Sequence, residues 1–597
     1  MAVINGINKL ACFAMLAALF FNIVLATRPM ETLGRGVVAV RKSTTEVLVS
    51  WRLLGLDDPS IGFNVYRATG NGKYSKINNA VLNKGTNIVD STANLSEDNH
   101  YYVRPVINNG EGDASTAFTL TANHAVEPIH RVPIKQGPRI RYVWVGDLDG
   151  DGEYDYVLDR HDTTQSIEAY TSNGTLLWKV NLGAGSENQN NIEPGPTAIS
   201  VGNWDGVTVY DFDGNGRAEV AIRVANGVTF GDGKKFSHSV ANEQFIAILD
   251  GRTGALKGTA PIPTTYISDG PLAARFSIGY LDGKTPHLIA FMKNRQPGQG
   301  AFNRMIGAWT FNGNTVKQAW VKKGDDFKSR PDGHNSRSID VDGDGVDEFC
   351  EIGFCLNGDG SFKYGLPDIV VHGDRWHIAK MDPDRKGLQG YGIQQNNQDL
   401  LNEYYYDATN GKLLWEHFGT EVGDVGRGMV GDIDPDKPGM EVWSFQGLYN
   451  AKSNAKISDK APWPQLGMWW DGDVTMELYN DGKIEKWVPK DQAVTRLETV
   501  SHYGALNPND PHPGFLGDIF GDWREEAITV NENYSELIIF TTNTASDIRL
   551  YTLAHNPAYR NDMSLKGYHQ SHHVDYFLGA GMKTPPKPDI RYVPLPS

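Results

Sequence analysis

The chain has 597 residues, 72 of them acidic and 56 basic, for a formal net charge of −16. So acidic a chain, with no lysine–arginine run, makes a poor nucleic-acid partner, because the phosphate backbone would repel it. Hydrophobic residues at 40 % and charged ones at 21 % belong to a globular protein, and 65 glycines point to many tight turns between short strands.

The first element is a separate device. Lys9 precedes an apolar run from Leu10 to Phe21, and Val24-Leu25-Ala26 follows with a small residue last. That is the layout of a secretory signal peptide over residues 1–26, cleaved after Ala26. Its apolar core falls short of the roughly 20 residues needed to span a bilayer. No later segment is apolar enough, so a secreted, extracellular protein with no membrane partner is expected. Cleavage would remove Cys12 and leave Cys350 and Cys355. Their odd separation puts them on opposite faces of a strand, where a bridge would need a turn, so two small buried residues are expected.

Residues 28–126 alternate in the manner of strands: Gly36–Val40, Glu46–Trp51, Gly62–Arg67 and Tyr101–Val106, with turn clusters at Gly70-Asn71-Gly72 and Asn108–Gly112. Short strands at this spacing predict a small β-sandwich of fibronectin type III character, a packing or spacer module without chemistry.

Residues 127–597 carry a repeat. The phrase Asp147-Leu148-Asp149-Gly150-Asp151-Gly152-Glu153-Tyr154-Asp155 returns at Asp211–Glu219 and at Asp340–Glu348. Weaker echoes are Leu281-Asp282-Gly283, Asp382-Pro383-Asp384, Asp432-Ile433-Asp434-Pro435-Asp436 with Glu441, Asp471-Gly472-Asp473, and Asp518 with Asp522 and Glu526. These eight marks are spaced by about 53 residues on average. An apolar strand follows most of them, and Asn173-Gly174-Thr175-Leu176-Leu177-Trp178 is echoed by Asn410-Gly411-Lys412-Leu413-Leu414-Trp415. Four-stranded sheets repeating at about 40–55 residues are the signature of a β-propeller, here of eight blades, within an all-β protein.

The repeated acids imply cations. Oxygen ligands at alternate positions of a tight loop point inward, and the glycine permits the sharp turn. The sets are Asp147, Asp149, Asp151 and Asp155; Asp211, Asp213, Asn215 and Glu219; Asp340, Asp342, Asp344 and Glu348. Weaker sets are Asp432, Asp434, Asp436 and Glu441, and Asp518, Asp522 and Glu526. Several calcium ions, mostly structural, are expected, each cancelling two or three charges. His334, His372, Asp374 and His377 form another constellation, able to bind a transition metal or a calcium with mixed ligands. Hydrogen-bonded structural histidines are the alternative.

Outside the loops, the opening Arg28-Pro29-Met30-Glu31-Thr32-Leu33-Gly34-Arg35-Gly36-Val37-Val38-Ala39-Val40 resembles the start of mature rhamnogalacturonan lyases of polysaccharide lyase family eleven. Phe63-Asn64-Val65-Tyr66-Arg67, Asp424-Val425-Gly426-Arg427-Gly428-Met429, Gly521-Asp522-Trp523-Arg524-Glu525-Glu526, Arg549-Leu550-Tyr551-Thr552-Leu553 and Phe577-Leu578-Gly579-Ala580-Gly581-Met582 are similar to that family too, in order along the mature chain. The resemblance implies a calcium-rich eight-bladed propeller behind an N-terminal β-domain. It further implies β-elimination at galacturonate in the rhamnogalacturonan I backbone of pectin, an acidic plant cell-wall polysaccharide, by a protein expected to be a monomer. Arg427 matches an arginine at which the family places catalysis. Where the family carries Asn-Gly-Thr-Lys, this chain has Asn507-Pro508-Asn509-Asp510, so Asp510 replaces a lysine that is a candidate base. His502 and His512 are the further candidates for proton transfer, and Asn507, Tyr503 and His161 for substrate contact. His161 stands in Arg160-His161-Asp162, where the family has Trp-Asp-Pro. A lyase for another rhamnose–uronate linkage stays open. So does a non-catalytic propeller that binds polysaccharide or serves adhesion, since integrin-like propellers carry similar calcium loops.

Overall fold

The computed structural model describes residues 27–594 except 184–185, 187–205, 240–243, 299–301, 329, 421–425 and 567–568; the expected signal peptide lies outside the described residues. The N-terminal strands form two facing sheets. Val38–Arg41, Val47–Ser50 and Asn87–Asp90 make one, and Gly62–Thr69 with Asn99–Ile107 is the centre of the other. Alternation decides which side chains meet: Val47 and Val49 from the first sheet share a core with Phe63, Val65, Tyr101 and Val103 from the second, around Trp51.

Beyond residue 128 the described residues form eight four-stranded antiparallel sheets. Seven take four consecutive strands. The eighth joins Ile129–Pro133, which precedes the first sheet, to Phe515–Gly517, Glu526–Val530 and Glu536–Phe540. Strands such as Glu219–Val224 are buried on both faces, as near-continuous apolar runs should be. The period of two then divides them between neighbours. Val220 and Ile222 pack with Val157 and Ile167 of the first sheet, while Ala221 packs with Ile278 and Ala290 of the third.

The opening strands of the sheets are Val143–Gly146, Val207–Tyr210, Ala273–Gly279, Arg337–Ile339, Trp376–Ala379, Met429–Gly431, Leu466–Met468 and Phe515–Gly517. Each is entered by a loop at one end and left by a loop at the other. The acidic phrases are the exit loops. Entry loops therefore gather at the opposite end, and they carry every candidate catalytic residue.

Two local features differ from expectation. Cys350 and Cys355 are joined by a disulfide. The reading as one strand fails because the chain turns between Glu348–Glu351 and Phe354–Leu356, which sets the two cysteines directly opposite each other with Cα atoms 4.1 Å apart. The turn that a bridge requires is present. The other feature is Pro557–Met563, the one α-helix among the described residues, capped by the Asn556 side chain. Seven residues are too few for a legible helical period. Its Arg560 forms a buried two-point ion pair with Glu31, at 2.7 and 2.6 Å, tying the segment just past the strand Arg28–Met30 to this helix.

Candidate functional site

Four entry loops converge on a polar centre. Arg427, half-buried just ahead of Met429–Gly431, donates to Oε1 of Gln465, which stands just ahead of Leu466–Met468. The Gln465 amide donates in turn to Nε2 of His512, ahead of Phe515–Gly517. Arg375, next to Trp376–Ala379, donates to the same Nε2 at 3.0 Å and to the Gln465 carbonyl at 3.1 Å. A nitrogen that accepts two such bonds carries no proton. Burial and the guanidinium groups of Arg375 and Arg427 accordingly push His512 down to about 3. Two cations and a neutral imidazole in one place form a receptor for an anion. Beside it, Phe445 and Trp463 are 41 % and 56 % exposed and pack ring to ring at 5.1 Å.

The remaining predicted residues fall around this centre. Asn507 accepts from the Tyr479 hydroxyl and donates to the Pro511 carbonyl, so it holds the loop that carries His512. Asp510 is exposed at the tip of that loop, and His502 is exposed on a short 3₁₀ turn. Tyr503 donates to Glu498 at 2.7 Å. His161 lies 2.6 Å from Asp159, whose carboxyl burial would raise; His161 and two backbone N–H groups outweigh burial and hold it low. The backbone of His161 pairs with Arg139, and Arg139 reaches the Pro508 carbonyl, so the first sheet braces the same loop. Sequence reading missed Gln465, a lone glutamine with no motif. It also passed over Arg375, which directly follows Asp374 in the chain.

On the same end, His334 and Asp374 are 3.1 Å apart, His372 and Asp374 3.7 Å, and the two imidazoles meet edge to face at 5.0 Å. Ligand atoms of all three lie within 4.8 Å of one another, a spacing that fits one shared metal ion. Burial lowers His334, which favours the uncharged ring that a metal ligand would need. His377 is apart from this group, its Nε2 facing the Gly428 carbonyl.

At the exit end the loops share one construction. Gly150 and Gly152, at φ of 85° and 88°, turn the chain so that both N–H groups donate to Asp147. The closing acid accepts the N–H near the loop start: Leu148 to Asp155, Phe212 to Glu219, Val341 to Glu348, Ile433 to Glu441 and Ile519 to Glu526. The fifth-position side chains Asp151, Asn215 and Asp344 accept the N–H two residues on. Asp436 is exposed, and Asp434 accepts its N–H at 3.2 Å.

The loops differ in what faces their acids. Asp147, Asp149 and Asp155 converge within 4.8 Å, and burial with neighbouring acids pushes Asp147 up to about 7 and Asp155 up to about 8. That crowd suits a hard divalent cation. Asp432 and Asp518 each keep a buried Oδ1 without a partner, which also fits a cation. Asp522 is instead held by Arg524 at 2.7 Å. Asp211, Asp213 and Glu219 converge as well, as do Asp340, Asp342 and Asp344, but Lys257 and Lys363 stand among those two sets.

Comparison with known proteins gives one consistent result. Residues 139–588 match the model of the rhamnogalacturonan lyase family 11 C-terminal domain, and residues 28–120 that of the rhamnogalacturonan I lyases beta-sheet domain. Rhamnogalacturonan endolyase YesW of Bacillus subtilis (strain 168) is 35 % identical, with 95 % of this chain and 94 % of its own length covered. Rhamnogalacturonan exolyase YesX of the same organism is 32 % identical, over 94 % and 97 %. Among solved structures, YesW superposes with a TM-score of 0.84 at 31 % identity, covering 95 % of this chain and all of the other. A Bacillus licheniformis rhamnogalacturonan lyase gives 0.83 at 32 %, with the same coverage.

Proposed function

The chain belongs to rhamnogalacturonan lyase family 11, and from that membership we infer that this polysaccharide lyase cleaves the rhamnogalacturonan I backbone of pectin by β-elimination at galacturonate. The observation that carries the reading is the family match over 139–588, which includes the anion-receiving centre at Arg427.

The reaction removes the proton at carbon 5 of galacturonate and breaks the bond from carbon 4 to the glycosidic oxygen. One product ends in an unsaturated uronate and the other in a free rhamnose. That proton is weakly acidic until the neighbouring carboxylate is neutralised. Arg427 would supply the neutralising fork, since a guanidinium matches a carboxylate in two bonds. Of the three candidates for the base, His512 has the geometry that fits: its unprotonated Nε2 lies at the centre, where a substrate would have to displace the bonds it accepts from Arg375 and Gln465, whereas Asp510 and His502 are exposed. Burial is the main cause that holds His512 low, and the two guanidinium charges add to it; a bound uronate would offset those charges and so raise its basicity as substrate arrives.

Phe445 and Trp463 would stack on sugar rings flanking the cleaved bond. Trp463→Ala should then raise KM for the polymer severalfold with kcat nearly unchanged; a normal KM would remove Trp463 from the groove.

Three further elements belong to this proposal. The eight sheets are blades of a propeller, a reading supported by the side-by-side opening strands and by apolar layers shared between consecutive sheets. Calcium is the cation of the Asp147 loop and of the loops that carry Asp432 and Asp518, because oxygen-only donors suit it. The chain is exported, on the strength of the apolar run behind Lys9.

Incubation with rhamnogalacturonan I, followed by absorbance of the new carbon–carbon double bond, tests the activity. A rise with that polymer and none with homogalacturonan is expected. No rise with any uronate polymer would remove the lyase assignment.

A further inference from the structure

In seven of the eight sheets the fourth strand joins the third through a β-bulge, and in four of these the bulge falls one residue past the first pair. The bulged residues are Leu177, Lys257, Lys363 and Ile457 at that place, and Ala319, Leu414 and Leu497 farther along. A bulge re-aims the side chain that it leaves unpaired. In the second sheet it aims Lys257 into the acidic exit loop, with Nζ 2.6 Å from Glu219 Oε1 and 3.0 Å from Asp213 Oδ2. In the fourth, Lys363 lies 2.9 Å from Glu348 Oε1 and 2.7 Å from Asp342 Oδ2. In the first sheet the bulged residue is Leu177, which packs against the core between sheets one and two. The one lysine of that strand, Lys179, turns to Glu168.

We propose that the residue at the fourth-strand bulge decides what neutralises the acidic loops of the first, second and fourth sheets: a lysine there supplies the positive charge itself and excludes a divalent ion, and an apolar residue leaves the loop to calcium. The seventh sheet takes its ammonium from the third strand instead, its bulge residue being Leu497 while Lys486 reaches Asp471, Asp473 and Glu477. The chemistry is one of exclusion. In each lysine loop the closing glutamate has spent one oxygen on a backbone N–H and the other on the ammonium, and the third-position aspartate is engaged too. Calcium needs six to eight oxygens converging on one point, so it would have to expel the ammonium or share the cage with it. Lys257 and Lys363 are mostly buried, with side chains 20 % and 16 % exposed, and withdrawing either would also expose its packed stem. Calcium was expected in these two loops from the acids alone, and the lysines lie too far along the chain to be weighed with them.

The test exchanges the bulge residues in the full-length mature protein and counts ions. Native mass spectrometry after equilibration in calcium gives the number bound, and crystals grown in calcium give their positions. The wild type should show an ion in the Asp147 loop and none in the Asp211 and Asp340 loops. Lys257→Leu and Lys363→Leu should each add one calcium, and the double variant two. Leu177→Lys should remove one. If a leucine variant does not fold, Lys257→Gln keeps the stem without the charge and should also gain an ion. Ions already present beside Lys257 and Lys363 in the wild type would overturn the proposal, as would folded lysine variants with an unchanged count. The Leu177→Lys arm rests on calcium in the Asp147 loop, and an empty loop there would sink that reading while the lysine variants still decide this one.

Discussion

Arg427→Ala should fold normally, keep the cations proposed for its exit loops, and lose at least about a hundredfold in turnover. The substrate is a polyanion and the protein is acidic overall, so attraction must be local; the centre made by Arg427 and Arg375 provides it. Charge on the uronate grows as the carbon 5 proton leaves. A guanidinium fixed beside that carboxylate therefore stabilises the transition state more than the bound substrate, and its loss falls on kcat rather than KM. Removing one such preorganised partner typically costs about 10²–10³ in rate. Gln465 holds Arg427 in place from the next sheet, so the fork is oriented before substrate arrives. His512→Ala belongs in the same assay and should also lose most turnover if His512 takes the proton. Turnover of Arg427→Ala within a few-fold of wild type would leave that arginine a structural role; a near-normal His512→Ala would return the base to Asp510 or His502.

Excess chelator should lower the melting temperature by at least about 5 °C without unfolding the protein at room temperature. A cation held at a hundred times its dissociation constant stabilises the folded state by about 2.7 kcal/mol. One kcal/mol moves Tm by roughly 2–4 °C in domains of 150–250 residues. At the Asp147 loop the loss would be felt at once, because among the described residues no lysine pairs with its three converging carboxylates, Lys179 turning to Glu168 instead. The Asp211 and Asp340 loops, each with its own ammonium, should not respond. A Tm unchanged in chelator would mean that hydrogen bonds alone carry the acids.

How much of this could be read from the chain depended on how far apart the cooperating residues lie. The acidic loops announce themselves because ligand chemistry is written at fixed spacing within nine residues, and the sheets because each loop begins one. What neutralises a loop was not legible: Lys257 meets Glu219 across 38 residues, and only a bulge tells that it turns inward. The Cys350–Cys355 bridge was lost for a local reason, since the segment reads as one strand until a turn at Ile352-Gly353 folds it back. Arg427 emerged through resemblance to a family rather than through any pattern of its own. Its partners come from the neighbouring entry loops, and Gln465 has no chemistry to mark it until the sheets bring it to Arg427.

The central claim is that this site breaks its polymer by elimination, and the most direct measurement is the mass of the products formed in heavy-oxygen water. Elimination adds no water, so the account predicts that digestion of rhamnogalacturonan I gives fragments ending in an unsaturated uronate, lighter by one water than the saturated sugar and free of label from bond cleavage. Fragments that take up one heavy oxygen per cut, with saturated uronate ends, would show hydrolysis and contradict it.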